Sequence, residues 1–143
     1  MQTRDEVPRD RGSTQILAIR LAAASYAVLG VGFGSGAVWA VAQLQRRGEL
    51  PMTPFGFRAL SGPFERLGTG WFSALGLALA GVGALHVLAG AWLWQGKRRG
   101  LELGAATTIP ALVLGAGFAL PLLIVGLPVS LLLALAGRRT LRA

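Results

Sequence analysis

The sequence predicts an all-α integral membrane bundle of four transmembrane helices, the last two a tight Pro/Gly hairpin, with both termini cytoplasmic. Three observations predict it. Of 143 residues, 53% are hydrophobic and only 14% are charged, whereas a soluble domain carries about 25% charged residues. The charges fall in short segments between long apolar runs. Counted beside those runs, the basic residues are strongly biased to one side, as the positive-inside rule requires of a membrane protein.

Residues 1–14 form a polar tail of mixed charge and residues 15–143 a single transmembrane domain. The first span covers residues 16–44, interrupted only by Arg20, and positions 21–42 hold 22 residues without a charge; about 20 suffice to cross the hydrocarbon core. Arg20 then sits at the boundary, where its stem lies along apolar surface and its guanidinium reaches the headgroups. The second span, residues 71–95, has no formal charge apart from His86. The third apolar stretch, residues 101–137, holds 37 residues and one charge, Glu102. A single helix of that length would be about 55 Å long, so the stretch folds back into two helices, residues 101–118 and 120–137. Gly115, Gly117 and Pro121 mark the expected turn, and Pro110 and Pro128 are expected to kink the two helices.

Four spans leave ten basic residues on one side, four in residues 1–20, three at 97–99 and three at 138–142, against four in the loop of residues 45–70. That ratio places both termini in the cytoplasm, and the localisation expected is a bacterial inner membrane. In the loop, Phe57, Leu60, Phe64 and Leu67 recur at helical spacing, with Ser61 and Pro63 resembling a helix start. They predict a short amphipathic helix in the outer interface or a cap over the end of the bundle. Trp39 and Trp71 near one interface and Trp92 and Trp94 near the other form an aromatic belt.

Candidate functional residues are few. Gly30 and Gly34 make one G-x-x-x-G face on the first span and Gly32 and Gly36 a second, about 200° away. Gly76, Ala80, Gly83 and Gly90 give the second span its own small-residue stripe. Both predict close helix packing. His86 is the one titratable side chain near the middle of a span, and an ionisable group there is a candidate site by default. Its readings are a ligand or proton-relay group, with Tyr26, Ser25, Thr107 and Thr108 as companions, an axial ligand for a tetrapyrrole, or a neutral imidazole satisfied by a facing hydroxyl or carbonyl. Glu102, following three basic residues, is expected to pair with them at the start of its helix.

Several classes lose their residues. The chain has no Cys, which removes disulfides, thiolate metal sites and cysteine nucleophiles. No two acids fall together inside a span, so paired-acid catalysis and carboxylate-bound metals are not expected. The net charge of +8 reports orientation and contact with anionic lipid, and no nucleic acid is expected as partner. Small multidrug exporters share the size and span count, but their central Glu in the first span has no counterpart beside Ser25 and Tyr26.

The layout is a polar tail, a Gly-rich first span, an outer loop, a second span ending Trp92-Leu93-Trp94-Gln95-Gly96-Lys97-Arg98-Arg99, and a Pro-containing apolar hairpin. It resembles small bacterial tetraspan inner-membrane proteins of uncharacterised function, a family with no agreed activity to carry over. The function expected is therefore non-enzymatic: helix–helix association in the bilayer, as an accessory subunit of a membrane complex or as a homo-oligomer. The alternatives are a small oligomeric channel or transporter lined by Ser25, Ser35, His86, Thr107 and Thr108, and a pigment- or haem-binding subunit using His86.

Overall fold

The computed structural model describes residues 10–54 and 56–142, with side chains from Gly12 onward; residues 1–9, most of the segment read as a polar tail, lie outside it. Four helices carry the chain: α1 (Asp10–Arg47), α2 (Thr69–Trp94), α3 (Arg98–Gly117) and α4 (Pro121–Ala136). At 1.5 Å per residue their 38, 26, 20 and 16 residues span about 57, 39, 30 and 24 Å. The first three are long and apolar enough to cross a membrane, whereas α4 is apolar but shorter. Among the described residues there are no strands, only two isolated bridges. α1 starts at Asp10, inside the segment read as tail. It ends on Arg46 and Arg47, whose charge complements the negative end of the helix dipole.

Helix ends explain the turns. After α2, Gly96 takes a left-handed φ of 73°; its N–H bonds Leu93 O at 2.9 Å and the Lys97 N–H bonds Trp92 O at 2.9 Å. This is the paired arrangement that closes a helix on a left-handed glycine. The α3–α4 turn uses the same two bonds, Ala119 N–H to Ala116 O at 3.1 Å and Leu120 N–H to Gly115 O at 2.7 Å. Its left-handed residue is Ala119, at φ 51°. The turn expected at Gly115, Gly117 and Pro121 therefore falls between them. Both glycines stay in the last turn of α3, where their missing side chains admit Leu123 and Phe64, and Pro121 opens α4, where it forfeits no helical bond.

Each helix packs against its neighbours in sequence, and α4 closes the bundle onto α1. The directions alternate. Gly90 meets Ala23, Gly83 meets Gly30 and Gly76 meets Val41 along the antiparallel α1–α2 seam, while Gly104 of α3 meets Tyr26, and Gly126 and Gly137 of α4 meet Leu29 and Ile19. The seven-residue spacing of Gly76, Gly83 and Gly90 keeps one narrow stripe of α2 against α1 over its whole length, as a 3.5-residue repeat does. Outside, large apolar side chains face away from the bundle on every helix, among them Val28, Leu77, Ile109 and Leu122. That is the surface expected of a bundle solvated by hydrocarbon.

The loop forms only a five-residue 3-10 turn, Pro63–Leu67, preceded by Gly62 and not by Ser61. The expected amphipathic helix through Phe57, Leu60, Phe64 and Leu67 is not present. Leu60 takes a positive φ of 59°, which ends any helix there, and Phe57 and Leu67 are exposed while Leu60 is buried. Phe64 instead packs edge-on to Phe118 at 5.2 Å, and Phe118 edge-on to Phe72 at 5.3 Å. A trio of aromatic rings thus caps the α3–α4 turn.

Candidate functional site at the bundle centre

Of the four polar residues singled out around His86, three are buried in the bundle interior, and two of these, Tyr26 and Thr107, meet the histidine there. α1 contributes Tyr26, α2 His86, and α3 Thr107 and Thr108, all buried. Ser25, one residue along α1 from Tyr26, turns away and is only half-buried. The phenol stacks on the imidazole with ring centres 5.4 Å apart and planes at 25°. Gly104 leaves room for it: a Cβ there would lie 3.0 Å from the tyrosine oxygen, so a larger residue would press on the phenol where it reaches from α1 across to α3.

The hydrogen bonds assign the histidine's tautomer. His86 Nδ1 lies 2.8 Å from Val82 O; a carbonyl only accepts, so Nδ1 carries the proton and donates it. Nε2 then presents a lone pair to Thr107 Oγ1 at 3.4 Å, a long contact. Thr107 has one hydroxyl proton and a better acceptor in Leu103 O at 2.8 Å. Thr108 donates to Gly104 O at 2.6 Å. Each threonine is thereby tied to its own helix. The Tyr26 hydroxyl is wholly buried beside Thr108 but does not reach good hydrogen-bond geometry with it or with any other group; leaving such a group unpaired costs about 1–3 kcal/mol. Ser130 of α4, which composition gave no reason to select, is buried too and donates to Gly126 O at 2.7 Å.

The cluster is packed. The void beside His86, between Leu29, Phe33, Leu79, Ala111 and Leu127, holds about 10 Å³, at most one water molecule. With Nε2 turned to Thr107 and no space beside it, the site does not fit a tetrapyrrole ring. Among the described residues no three His, Asp or Glu side chains gather to hold a metal ion. Ser35, the remaining member of the expected pathway, is exposed on the outer surface of α1 and donates to Val31 O at 2.6 Å. The five residues read as a pore lining therefore do not border one space. The cluster packs side chains of three helices around one imidazole, with its short hydrogen bonds kept within each helix.

The small-residue faces separate cleanly. A Cβ on Gly30 would run into the carbonyl of Gly83, and one on Gly83 would lie 2.7 Å from Gly30 O; at Gly34 it would meet Ala80 O at 3.6 Å. Gly30, Gly34, Gly76, Ala80, Gly83 and Gly90 all belong to the α1–α2 seam. Around Gly32 and Gly36 nothing lies within 4 Å. That face, flanked by exposed Val28, Val31, Ser35 and Trp39, points away from the bundle.

At one end, Glu102 pairs with Arg98 at 3.5 Å, both side chains largely exposed. At the other, a cavity of about 450 Å³ opens beneath the loop between Leu44, Met52 and Phe72. Arg58 and Glu65 also line it and pair at 3.2 Å. Comparison of the chain with protein families, with curated proteins and with solved structures finds no match. The resemblance to bacterial tetraspan proteins thus rests on layout alone.

Proposed function

We propose that this chain is a non-enzymatic, multi-pass protein of a bacterial inner membrane that works by helix–helix association, as an accessory subunit or as a homo-oligomer. The observation that carries this reading is the empty glycine face of α1. Gly30 and Gly34 are consumed by the intramolecular seam, whereas a Cβ on Gly32 or Gly36 would meet nothing within 4 Å. A G-x-x-x-G face turned toward lipid fits the close approach of another helix.

In this reading all four helices cross. What supports it is that α4 starts under the aromatic cap and ends beside the start of α1, where Gly137 meets Gln15 and Ile19. Its length of about 24 Å is short of a core of about 30 Å, a mismatch relieved by local thinning and by Arg138 and Arg139 reaching the headgroups. The bias of ten basic residues against four puts both termini in the cytoplasm.

The absence of cysteine makes the test clean, since an introduced thiol is the only one present. Ser35→Cys, beside the open face, is oxidised in native membranes and run on non-reducing gels. A cross-linked dimer indicates a homo-oligomer, and a mixed adduct with another membrane protein indicates an accessory subunit. Both are expected to vanish in the Gly32→Leu/Gly36→Leu background. No adduct, or adducts indifferent to those substitutions, would overturn the proposal.

A further inference from the structure

We infer that the end of the bundle carrying the α2–α3 turn is a binding site for the anionic phosphodiester headgroup of a membrane lipid. The inference rests on the membrane reading above but not on the sidedness of the chain or its association. Lys97, Arg98 and Arg99 and, some forty residues later, Arg138, Arg139 and Arg142 are two separate basic runs in the sequence. The fold joins them. The Arg142 N–H donates to Gly96 O at 2.8 Å and the Arg98 N–H to Arg142 O at 2.9 Å, so the C-terminal segment is clamped alongside the α2–α3 turn. The 3-10 turn Arg138–Thr140 packs against α1, and Arg20 of α1 lies at the same level, its guanidinium 5.7 Å from the centre of the Trp94 ring.

Seven cations thus surround one end, while Glu102 is the acid that pairs there, with Arg98 alone. Between Trp92, Lys97, Arg98 and Arg99 is a cavity of about 220 Å³. α3 begins beside it with Lys97 at the cap and no acid in its first turn, its Arg98 and Gly100 N–H groups bonded to Arg142 O and Lys97 O. The positive end of the helix dipole lies on the same side as the cations. Trp92 and Trp94 are aromatic residues of the kind that settle at headgroup depth. Cations and an interfacial indole converging on one cavity are the chemistry of a phosphate on a lipid, since a basic pocket between spanning helices takes such headgroups. A free phosphate shares the charge but would draw nothing from the indole and the adjoining apolar helices.

The test uses the full-length protein in a mild detergent, with native mass spectrometry after addition of phosphatidylglycerol or phosphatidylcholine. Retention of phosphatidylglycerol over phosphatidylcholine is expected. Each basic side chain near an anionic surface contributes about fivefold, so Arg98→Gln/Arg99→Gln/Arg142→Gln is expected to cut that retention about a hundredfold. All three side chains are exposed, and Lys97→Gln alone, expected to lose about fivefold, guards against misfolding of the triple variant. Arg46→Gln/Arg47→Gln/Arg66→Gln, which removes equal charge at the opposite end, should leave retention unchanged. Equal retention of both lipids, or equal loss in the two triple variants, would overturn the site. Displacement of the lipid by equimolar inorganic phosphate would assign it to a soluble phosphate and overturn the lipid. Because association is read separately by the Ser35→Cys adduct, either result can fail without the other.

Discussion

Replacing Gly83 by alanine tests the α1–α2 seam at its tightest point. The added Cβ would lie 2.7 Å from Gly30 O and 3.0 Å from Gly34 Cα. Both obstacles are backbone, so neither can rotate aside, and the helices must part by roughly 0.7 Å to restore an ordinary contact of 3.4 Å. A gap of 0.5–1 Å forfeits about a quarter to a half of each dispersion contact, and overpacking of this kind costs about 1–3 kcal/mol. Alanine's better helix propensity returns at most about 1 kcal/mol. The net loss of about 1–2 kcal/mol corresponds to a Tm lower by about 3–6 °C for a chain of this size. Unfolding in detergent, followed by tryptophan fluorescence, measures it. Gly34→Ala is the internal control: its Cβ would meet Ala80 O at 3.6 Å, so the propensity gain is kept and stability holds or rises. If Gly83→Ala unfolds no earlier than Gly34→Ala, the packing assigned to this seam is wrong.

Three further substitutions probe the interior by the same unfolding assay. Tyr26→Phe removes a buried hydroxyl without a partner and should stabilise by about 1 kcal/mol; destabilisation would show that the hydroxyl is bonded in the bilayer. His86→Leu keeps most of the volume, leaves Val82 O its backbone helix bond and leaves Thr107 its bond to Leu103 O, so it should cost less than about 1.5 kcal/mol, against about 2–5 kcal/mol for the truncation His86→Ala. A folded His86→Leu protein that no longer forms the Ser35→Cys adduct would give the imidazole more than a packing role. Ala119→Gly relieves a left-handed alanine and should raise stability by about 1 kcal/mol; an unchanged melting curve would mean that the turn relaxes by other means.

What could be read from the sequence depended on whether the signal was local. Long uncharged runs demand hydrogen-bonded backbone, so α1, α2 and the apolar hairpin were legible within a few residues. For His86, Thr107 was legible as a facing hydroxyl, whereas nothing in the sequence shows that the carbonyl of Val82, one turn before it, is the nearer partner. Gly104 and Ser130 gave no signal. One matters only because a phenol from α1 reaches it, the other because α4 turns it inward. The α3–α4 turn lies where the sequence places it, between Gly117 and Pro121, but its glycines are there for another reason. Glycine marks either a left-handed turn or a close contact, and at Gly115 and Gly117 contact with Leu123 and Phe64 was the cause. In the loop the cap is present through Phe64 and the amphipathic helix is not, because a helical spacing of four apolar residues carries no information about the positive φ of Leu60.

The alternating glycines of α1 hold the strongest argument about what the chain does. Two residues of helix turn a side by about 200°, so Gly30 with Gly34 and Gly32 with Gly36 cannot serve the same neighbour. The heptad of α2 glycines selects the first pair. The second pair then carries a penalty of about 1 kcal/mol per glycine relative to alanine, with no contact inside the monomer to offset it. Gly32→Ala/Gly36→Ala therefore separates two demands that coincide everywhere else in the bundle. If the face is packed against a partner, the double variant should unfold about 1–2 kcal/mol later as a monomer while its Ser35→Cys adduct falls. If it faces only lipid, the first effect should appear without the second. Opposite signs in the two assays are what a face built for association produces, and a gain in both would refute that role.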